Sequence, residues 1–443
     1  MALTDREREI ADEIERRRDE LVQLTADLVG FDTTARNVGD PPRDEARLQT
    51  YLAERLEAAG AEIDLFEPDT GAMAGKPLVP PGLDFAGRPQ LIAAFRGKGG
   101  GKSLVLNGHI DVVSYEPLDQ WTSHPLAAEV RDGRLYGRGA CDMKGGIAAM
   151  TFAAEVLAAA GVRLAGDLVV ATNTDEESSG AGSMALVERG LRADAGIVTE
   201  PTGFDVWVAC RGSEYCEVVV PGRPGHAEVA QAHWRDGGAV NAIDKAMVIV
   251  NAVERLGEEW YGRRDLAHPH LSAPDAVPTM IRAGEWAVTY PAECRITCAI
   301  MFLPSQADAE GWGRGAVRRE FEEWIARAAG SDAWLAENPP RVEWRPNGVM
   351  SMEIPENAPI VATTLGAAEA VGRPTRLGGL DSWYDGATFT RLAGFPAVGF
   401  GPAGFDPHGL DVAHTINEYV PVDDLVACAQ ALAVVALRYC TEV

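Results

Sequence analysis

The stretch Ala171-Thr-Asn-Thr-Asp-Glu-Glu-Ser-Ser-Gly180 joins an apolar segment to the three consecutive acids Asp175, Glu176 and Glu177. The preceding residues, Asp167-Leu-Val-Val-Ala171, are typical of a buried parallel strand. Adjacent carboxylates repel one another, and burying them raises their free energy unless positive charge compensates. Ligands bind at the carboxyl ends of strands in open α/β sheets. The triplet therefore predicts either a ligand crevice or a solvated turn, and the spacing favours neither.

Length and composition restrict the class of protein. The 443 residues are too many for one ordinary core, and 46% hydrophobic with 24% charged residues is typical of a soluble globular protein of two or three domains. The net charge of −26 argues against nucleic acid as a partner. No apolar run reaches the length of a membrane span, and the N-terminus has no apolar signal-peptide core. The seven cysteines are scattered and include no Cys-x-x-Cys pair, which argues against a disulfide framework. We therefore expect a cytoplasmic protein with no membrane partner.

The order of predicted elements indicates one domain interrupted by another. Up to about Arg211, and again after Pro339-Pro340, helices alternate with apolar strands, which predicts an α/β domain with a parallel or mixed sheet. The chain between them predicts a compact α+β module with a one-sided antiparallel sheet. The domains are therefore predicted as 1–211 with 331–443, and an insertion at 212–330.

The individual elements follow from hydrophobic periodicity and from Gly and Pro. In the α/β domain we predict helices 6–29, 44–59, 147–160, 182–189, 359–371 and 422–439, and strands 61–66, 91–95, 103–106, 168–172, 196–198, 342–345 and 397–400. In the insertion we predict strands 214–220, 279–282, 286–289 and 295–302, and helices 241–260 and 315–329.

Polar side chains collect where the predicted core strands end. They are His109, Asp111, Glu176, Glu177 and Glu200, with Asp142 in a Gly-rich approach to a helix and His414 near the C-terminus. Imidazole and carboxylate without thiolate are the ligands of catalytic zinc, cobalt or manganese, and there are enough for two ions if a carboxylate such as Asp142 bridges them. Asp111 could hydrogen-bond the imidazole of His109. A lone His-x-Asp is usually incidental, so the joint placement carries the inference.

Five motifs, in this order, resemble those of the M20 metallopeptidase family. They are Asn107-Gly-His-Ile-Asp-Val-Val113, Gly137-Arg-Gly-Ala-Cys-Asp-Met-Lys-Gly-Gly146, Asp175-Glu-Glu177, Thr199-Glu-Pro-Thr202 and Ala413-His-Thr-Ile-Asn-Glu-Tyr-Val420. That family contains acetylornithine deacetylase, succinyl-diaminopimelate desuccinylase, aminoacylase and glutamate-releasing carboxypeptidases. The resemblance covers nearly the whole chain, and the joint pattern is specific although no single motif is.

The resemblance implies an α/β, di-zinc aminopeptidase-like catalytic domain with a mixed sheet, interrupted by an α+β, ferredoxin-like lid that forms a homodimer. It implies two divalent metal ions, zinc or else cobalt or manganese, bridged by one carboxylate. Their implied ligands are His109, Asp142 as the bridge, Glu177, Glu200 and His414. Glu176 is the implied general base, and Asp111 orients His109.

The resemblance also assigns substrate contacts. His226 in Gly222-Arg-Pro-Gly-His226 matches the lid histidine that reaches into the partner subunit's site and stabilises the oxyanion, and Asn241 is a second contact. The loop with Gly378, Gly379 and Trp383 matches a Gly-rich substrate loop, where Trp383 could stack on an aromatic or heterocyclic group, although aromatic residues in loops more often pack.

One position departs from the family pattern. Many members carry an Arg late in the lid's last strand that holds a substrate carboxylate, and this chain has Met301 there. A thioether does not replace a bidentate arginine, and neither Arg282 nor Arg295 is in register. We therefore expect a substrate without the usual α-carboxylate, or one that holds it differently. His408 is a rival to His414, and Cys141 is interpreted as packing.

The predicted function is a di-metal hydrolase that cleaves an amide bond of a small molecule, an N-acyl or N-formyl amine or N-acyl amino acid. The alternatives are a dipeptidase or carboxypeptidase of the same family, or a hydrolase or deaminase of a non-carboxylated heterocyclic or aromatic substrate. A metal-site relic would have lost the base or ligands, and all those positions are filled. A dinucleotide-binding protein needs a Gly-x-Gly-x-x-Gly turn, which Gly137-Arg-Gly139 does not extend into.

Overall fold

The computed structural model describes residues 2–35 and 37–441. The helices are α1 Asp5–Arg16, α2 Arg18–Val29, α3 Glu45–Ala58, α4 Thr70–Met73, α5 Lys144–Ala159, α6 Ala181–Arg189, α7 Ala242–Gly262, α8 Ala316–Ala329, α9 Ala333–Glu337, α10 Pro359–Ala370, α11 Gly386–Thr388 and α12 Val422–Tyr439.

The strands complete the secondary structure. They are β1 Glu62–Phe66, β2 Gln90–Phe95, β3 Leu104–His109, β4 Glu129–Arg131, β5 Arg134–Tyr136, β6 Leu168–Asn173, β7 Ala195–Val198, β8 Val206–Cys210, β9 Gly212–Pro221, β10 Asp275–Ala283, β11 Glu293–Phe302, β12 Arg341–Trp344, β13 Met352–Glu353, β14 Leu377–Leu380, β15 Ala397–Gly399 and β16 Tyr419–Pro421.

The chain folds into two compact units. The first unit comprises the described parts of 1–209, 353–379 and 384–443, and the second comprises 210–352 and 380–383. The second unit therefore runs past residue 330, where the predicted insertion ends. The reason is β12, predicted as a strand of the α/β domain, which pairs with β9 in the sheet of the second unit.

A mixed sheet forms the first unit's core. Within the described ranges it has nine strands in the order β1-β2-β6-β3-β7-β15-β8-β13, with β14 beside β8. Strands β6, β3, β7 and β15 are mutually parallel, and β3 and β6 are buried at every position. This α/β class is the predicted one, and it follows from apolar strands separated by helices. The apolar helix α5 packs on β3 and β6 and also on α12.

The second unit has a small antiparallel sheet of the predicted α+β type. Among the described residues its four strands run in the order β10-β11-β9-β12, and α7 and α8 pack against one another beside it. The sheet's pairing is long, since β9 and β11 are in register over ten residues from Glu293 opposite Pro221 to Phe302 opposite Gly212.

Two predicted elements are wrong in detail. The helix predicted over 6–29 is two helices separated at Arg17, of which α1 packs mainly on α12 and α2 mainly on α5. The strand predicted at 286–289 is a turn between β10 and β11, with Trp286 exposed and only Thr289 bridged to His226. Its alternating side chains belong to a hairpin connection that begins at Gly284, whose positive φ ends the strand.

Candidate metal centre

Three neighbouring parallel strands bring the predicted residues to one edge of the large sheet. His109 is the last residue of β3, and the register places it opposite Asn173, the last residue of β6. Glu176 and Glu177 follow β6 directly, and Glu200 follows β7, the other neighbour of β3. Parallel strands end at the same edge, so sequence positions far apart converge there.

Asp142 lies between the two histidines. It precedes α5, and its Oδ1 is 3.1 Å from Nε2 of His109 while its Oδ2 is 3.3 Å from Nε2 of His414. Each carboxylate oxygen therefore faces a different imidazole. This is the arrangement that a bridging carboxylate needs.

A further carboxylate completes each half of the cluster. Nε2 of His414 is 3.1 Å from Oε1 of Glu177, whereas Nε2 of His109 is 3.9 Å from Oε2 of both Glu200 and Glu176. One atom each of His109, Asp142 and Glu177 lies within 4.8 Å of the others, which could hold a metal ion. Four acids thus surround the two imidazoles, which is more than hydrogen bonding of two histidines requires.

Burial and crowding shift the pKa values of these groups. Burial raises the pKa of Glu176 well above its ordinary value, and the negative charge of Glu200 adds to the rise. Burial raises the pKa of Glu200 in the same way. The pKa of His414 is raised to about 10 because its imidazole hydrogen-bonds Asp142 and Glu177. Ionising these acids is therefore costly unless positive charge lies beside them, which divalent cations would supply.

The donor set fits such cations. Oε1 of Glu200 is buried and has no hydrogen-bond partner among the described residues, and an orphaned buried carboxylate oxygen raises the free energy of the fold unless something positive binds it. Imidazole and carboxylate in this proportion suit zinc, cobalt or manganese. The residues therefore fit the metal ions that the sequence motifs imply.

Asp111 contacts the cluster through atoms other than those predicted. Nδ1 of His109 is 2.9 Å from the main-chain oxygen of Asp111 but 3.7 Å from its carboxylate, so the predicted carboxylate–imidazole hydrogen bond is wrong. The carboxylate instead accepts hydrogen bonds from the backbone N–H groups of Glu176 and Glu177, at 3.3 and 3.1 Å. The turn after β6 brings those two donors closer than the imidazole.

Sequence reasoning missed the pair Arg138 and Glu418. Both side chains are buried and form an ion pair, and Oε1 of Glu418 accepts hydrogen bonds from the backbone N–H groups of Cys141 and Asp142, at 2.8 and 3.0 Å. The available signal was a charged residue inside each of two recognised motifs. The pair holds the backbone of Asp142 in place.

The surroundings of the other candidate site residues of the first unit differ. His408 is exposed on a loop, whereas His414 contacts two acids of the cluster. Burial raises the pKa of the Cys141 thiol well above its ordinary value, which makes it a poor nucleophile. Gly378 and Gly379 lie in β14.

The other three predicted substrate contacts, His226, Asn241 and Trp383, lie in the second unit. His226 is exposed, with Nδ1 accepting the N–H of Glu228 at 3.3 Å. Asn241 is the N-cap of α7. Trp383 is half-buried, and its indole Nε1 is buried without a hydrogen-bond partner among the described residues.

Met301 has no arginine beside it on its own strand or on β10. It lies opposite Ser213 and Asp275, while Arg295 is six residues, or about 20 Å, away along β11. The guanidinium of Arg295 pairs with Glu217, Glu293 and Glu343. Arg282 lies opposite Arg295, equally far from Met301.

The sequence is similar to a family model and to named relatives. The model of peptidase family M20/M25/M40 matches residues 105–438. An N-formyl-4-amino-5-aminomethyl-2-methylpyrimidine deformylase of Bacillus subtilis (strain 168) is 25% identical over 451 residues, covering 97% of this chain and 96% of the relative. An acetylornithine deacetylase of Myxococcus xanthus is 32% identical over 420 residues, covering 94% and 96%.

Solved structures show the same fold. The aminopeptidase PepT of Bacillus cereus ATCC 10987 matches with a TM-score of 0.69 at 20% identity, covering 95% of this chain and 98% of that one. The metallo-carboxypeptidase Sso-CP2 of Sulfolobus solfataricus matches with a TM-score of 0.70 at 17% identity, covering 95% and 99%. No helix among the described residues has the length and apolarity needed to cross a bilayer.

Proposed function

Since this chain belongs to peptidase family M20/M25/M40 and is a metal-dependent hydrolase of C–N bonds, we propose that it cleaves the amide bond of a small N-acyl or N-formyl amine at a two-metal centre. The observation that carries the proposal is Asp142, whose two oxygens face the imidazoles of His109 and His414 at 3.1 and 3.3 Å. A further acid beside each imidazole supports two sites rather than one.

Distances and the family motifs together divide the ligands between the two sites. Glu177 is 3.1 Å from His414, whereas Glu200 and Glu176 are both 3.9 Å from His109, and the motifs assign Glu200 as the ligand. His109, Asp142 and Glu200 would hold one ion, and His414, Asp142 and Glu177 the other. Bound zinc, cobalt or manganese would polarise the scissile carbonyl and lower the pKa of water. Asp142 serves both sites because each of its oxygens has its own imidazole.

Glu176 is the proposed general base. It lies beside Glu177 on the same turn, its Oε2 is 3.9 Å from Nε2 of His109, and it is left over when the other acids are assigned as ligands. Burial raises its pKa well above its ordinary value, which is the direction of shift that a general base needs. It would accept the proton of the attacking water and deliver it to the leaving amine.

The substrate is proposed to lack the usual α-carboxylate. Met301 has apolar chemistry where an arginine would bind that group, and neither Arg282 nor Arg295 lies within reach along the strands. The deformylase relatives are named for a formylated aminomethylpyrimidine, which has no carboxylate, and they favour an N-formyl group on a heterocyclic amine as the substrate. Gly378 and Gly379 of the first unit and Trp383 of the second stay predicted substrate contacts.

A second copy of the chain is the proposed partner. The edge strand β10 exposes Met280 and Ile281, and α7 exposes Ile243 and Met247 one turn apart. An open strand edge with apolar side chains favours pairing with its symmetry mate. The exposed His226 would then reach the partner's site, with Asn241 as a second substrate contact. The seven cysteines form no disulfide among the described residues, which fits a reducing compartment, the cytoplasm.

A hydrolysis screen with metal analysis tests the activity. The purified chain should hold about two transition-metal ions and should hydrolyse N-formyl and N-acetyl amines faster than dipeptides when loaded with zinc, cobalt or manganese. The panel pairs each N-acyl amino acid with the same amide lacking the α-carboxylate. Dipeptides as the fastest substrates would contradict the deacylase assignment, and full activity after exhaustive chelation would contradict the metal mechanism.

Mixing two inactive variants tests the dimer. If His226 acts in the partner's site, Glu176→Gln mixed with His226→Ala restores one working site in each heterodimer, which gives about a quarter of wild-type activity after random reassociation. His233→Ala, an exposed histidine of the same unit, is the matched control and should keep activity on its own. No recovery in verified heterodimers would place His226 in its own subunit's site or outside catalysis.

A further inference from the structure

We propose that Arg88 and Asp175 are positioning residues that set the carboxylate of Glu176, an inference that rests on the proposed function. Asp175 is the member of the acidic triplet that neither a metal ion nor the reaction uses. The side chains of Asp175 and Arg88 are both buried. Nη1 of Arg88 lies 2.8 Å from Oδ1 of Asp175 and 3.0 Å from its Oδ2.

The pairing follows from the register of the sheet. Strands β2 and β6 are antiparallel with Leu91 opposite Thr172, and continuing that register three residues past the ladder places Arg88 opposite Asp175. The segment before β2 therefore lies beside the turn that carries Glu176. Arg88 lies near the end of the Gly- and Pro-rich connection between β1 and β2.

Further hydrogen bonds join the same segment to the residues that precede the turn. The backbone N–H of Thr174 donates to Oε1 of Gln90 at 2.9 Å, and Nε2 of Gln90 donates to the hydroxyl of Thr174 at 3.0 Å. That hydroxyl donates in turn to Oδ2 of Asp175 at 2.9 Å. Residues 88–90 thus hold both residues that lead into the turn.

The turn itself is closed by Asp175. Its backbone adopts the left-handed conformation with φ of 64°, and its main-chain oxygen accepts the N–H groups of Ser179 and Gly180 at 3.0 and 2.7 Å. On the opposite side, the carboxylate of Asp111 accepts the N–H groups of Glu176 and Glu177. Arg88 and Asp111 therefore fix the turn from two sides, and the direction of the Glu176 side chain is set between them.

The first test is Asp175→Asn, which keeps a residue tolerant of positive φ and removes the ion pair. We expect kcat to fall about 10–100-fold, as for other partners that orient catalytic groups, with KM changed by about twofold at most and the metal content of wild type. Arg88→Met should give the same split, and Arg88→Lys should recover part of kcat because it restores a cation.

The matched control is a second ion pair of the first unit. Arg438 binds both carboxylate oxygens of Glu7, at 2.6 and 3.0 Å, on helices that carry no proposed site residue. Glu7→Gln should lower the thermal midpoint while leaving kcat unchanged. A structural role alone for Arg88 and Asp175 would reproduce this control pattern and overturn the inference.

Glu176→Gln measured in the same series distinguishes a missing positioning role from a missing general base. Inactive Glu176→Gln beside Asp175→Asn with wild-type kcat would remove only the positioning role. Active Glu176→Gln would remove the base itself and the proposed mechanism with it. If Arg88→Met does not fold, the comparison of Asp175→Asn with Arg88→Lys decides, and wild-type kcat in both overturns the inference.

Discussion

The two units handle charge in opposite ways. At the carboxyl edge of the large sheet, Asp142, Glu176 and Glu200 crowd around the buried His109 with too little positive charge to balance them. In the four-stranded sheet, by contrast, Arg295 pairs with three acids on an accessible face. The first arrangement is costly without bound cations, whereas the second is an ordinary solvated network. Chemistry is expected where charge is buried and unbalanced.

The largest expected effect tests the crowded edge at Glu176. Glu176→Gln should lower kcat about 10²–10⁴-fold because the base is lost, while the metal content of the chain stays that of wild type. Glu217→Gln removes an acid from the accessible network of the second unit and should change kcat by less than about twofold. Equal losses in the two variants would erase the contrast between the units; steady-state kinetics and metal analysis measure both.

A large effect is also expected at His414. His414→Ala removes the imidazole that faces Asp142 and Glu177, so metal affinity should fall by more than the roughly 10–100-fold caused by losing a supporting partner. His408→Ala changes an exposed histidine on the preceding loop and should leave affinity unchanged. Competitive chelator titration measures each affinity, and the reverse order would make His408 the ligand.

An intermediate effect is expected when charge is added to the second unit. Met301→Arg supplies the guanidinium that a substrate carboxylate would bind, worth about 10–100-fold in relative kcat/KM for N-acyl amino acids over matched amides. Tyr261→Arg, at an exposed position in the last turn of α7, adds the same charge and should leave the ratio unchanged. An unaltered ratio in Met301→Arg would show that position 301 does not control carboxylate binding.

The smallest expected effect concerns the apolar edge of the second unit. Ile281→Lys places like charges on strand edges that pair across a two-fold axis, and should raise the dimer dissociation constant about tenfold. Val130→Lys makes the same change on β4, an exposed edge strand of the first unit. Analytical ultracentrifugation compares them; a monomeric wild-type chain, or equal dissociation of both variants, would reject the β10 edge as the interface.

Several features could be predicted from the sequence because they depend on residue type and order. Apolar strands separated by helices predicted the α/β class, and the motifs at the ends of those strands predicted which histidines and acids meet. His109 and Glu200 lie close together because parallel strands end at one edge whatever the details of packing. Helix α12 was predicted with its observed limits, since an apolar helix near the C-terminus has few alternatives.

Other features were decided by the tertiary structure alone. The partner of Asp175 is Arg88 because of the register of β2 on β6, and the carboxylate of Asp111 binds backbone N–H groups because the turn after β6 approaches it. The break at Arg17 separates two helices with different main packing partners, α12 for α1 and α5 for α2. Periodicity and motifs specify which residues are buried or reactive, but the partners of a buried charge depend on distances between segments that are remote in the chain, and only the folded chain sets those.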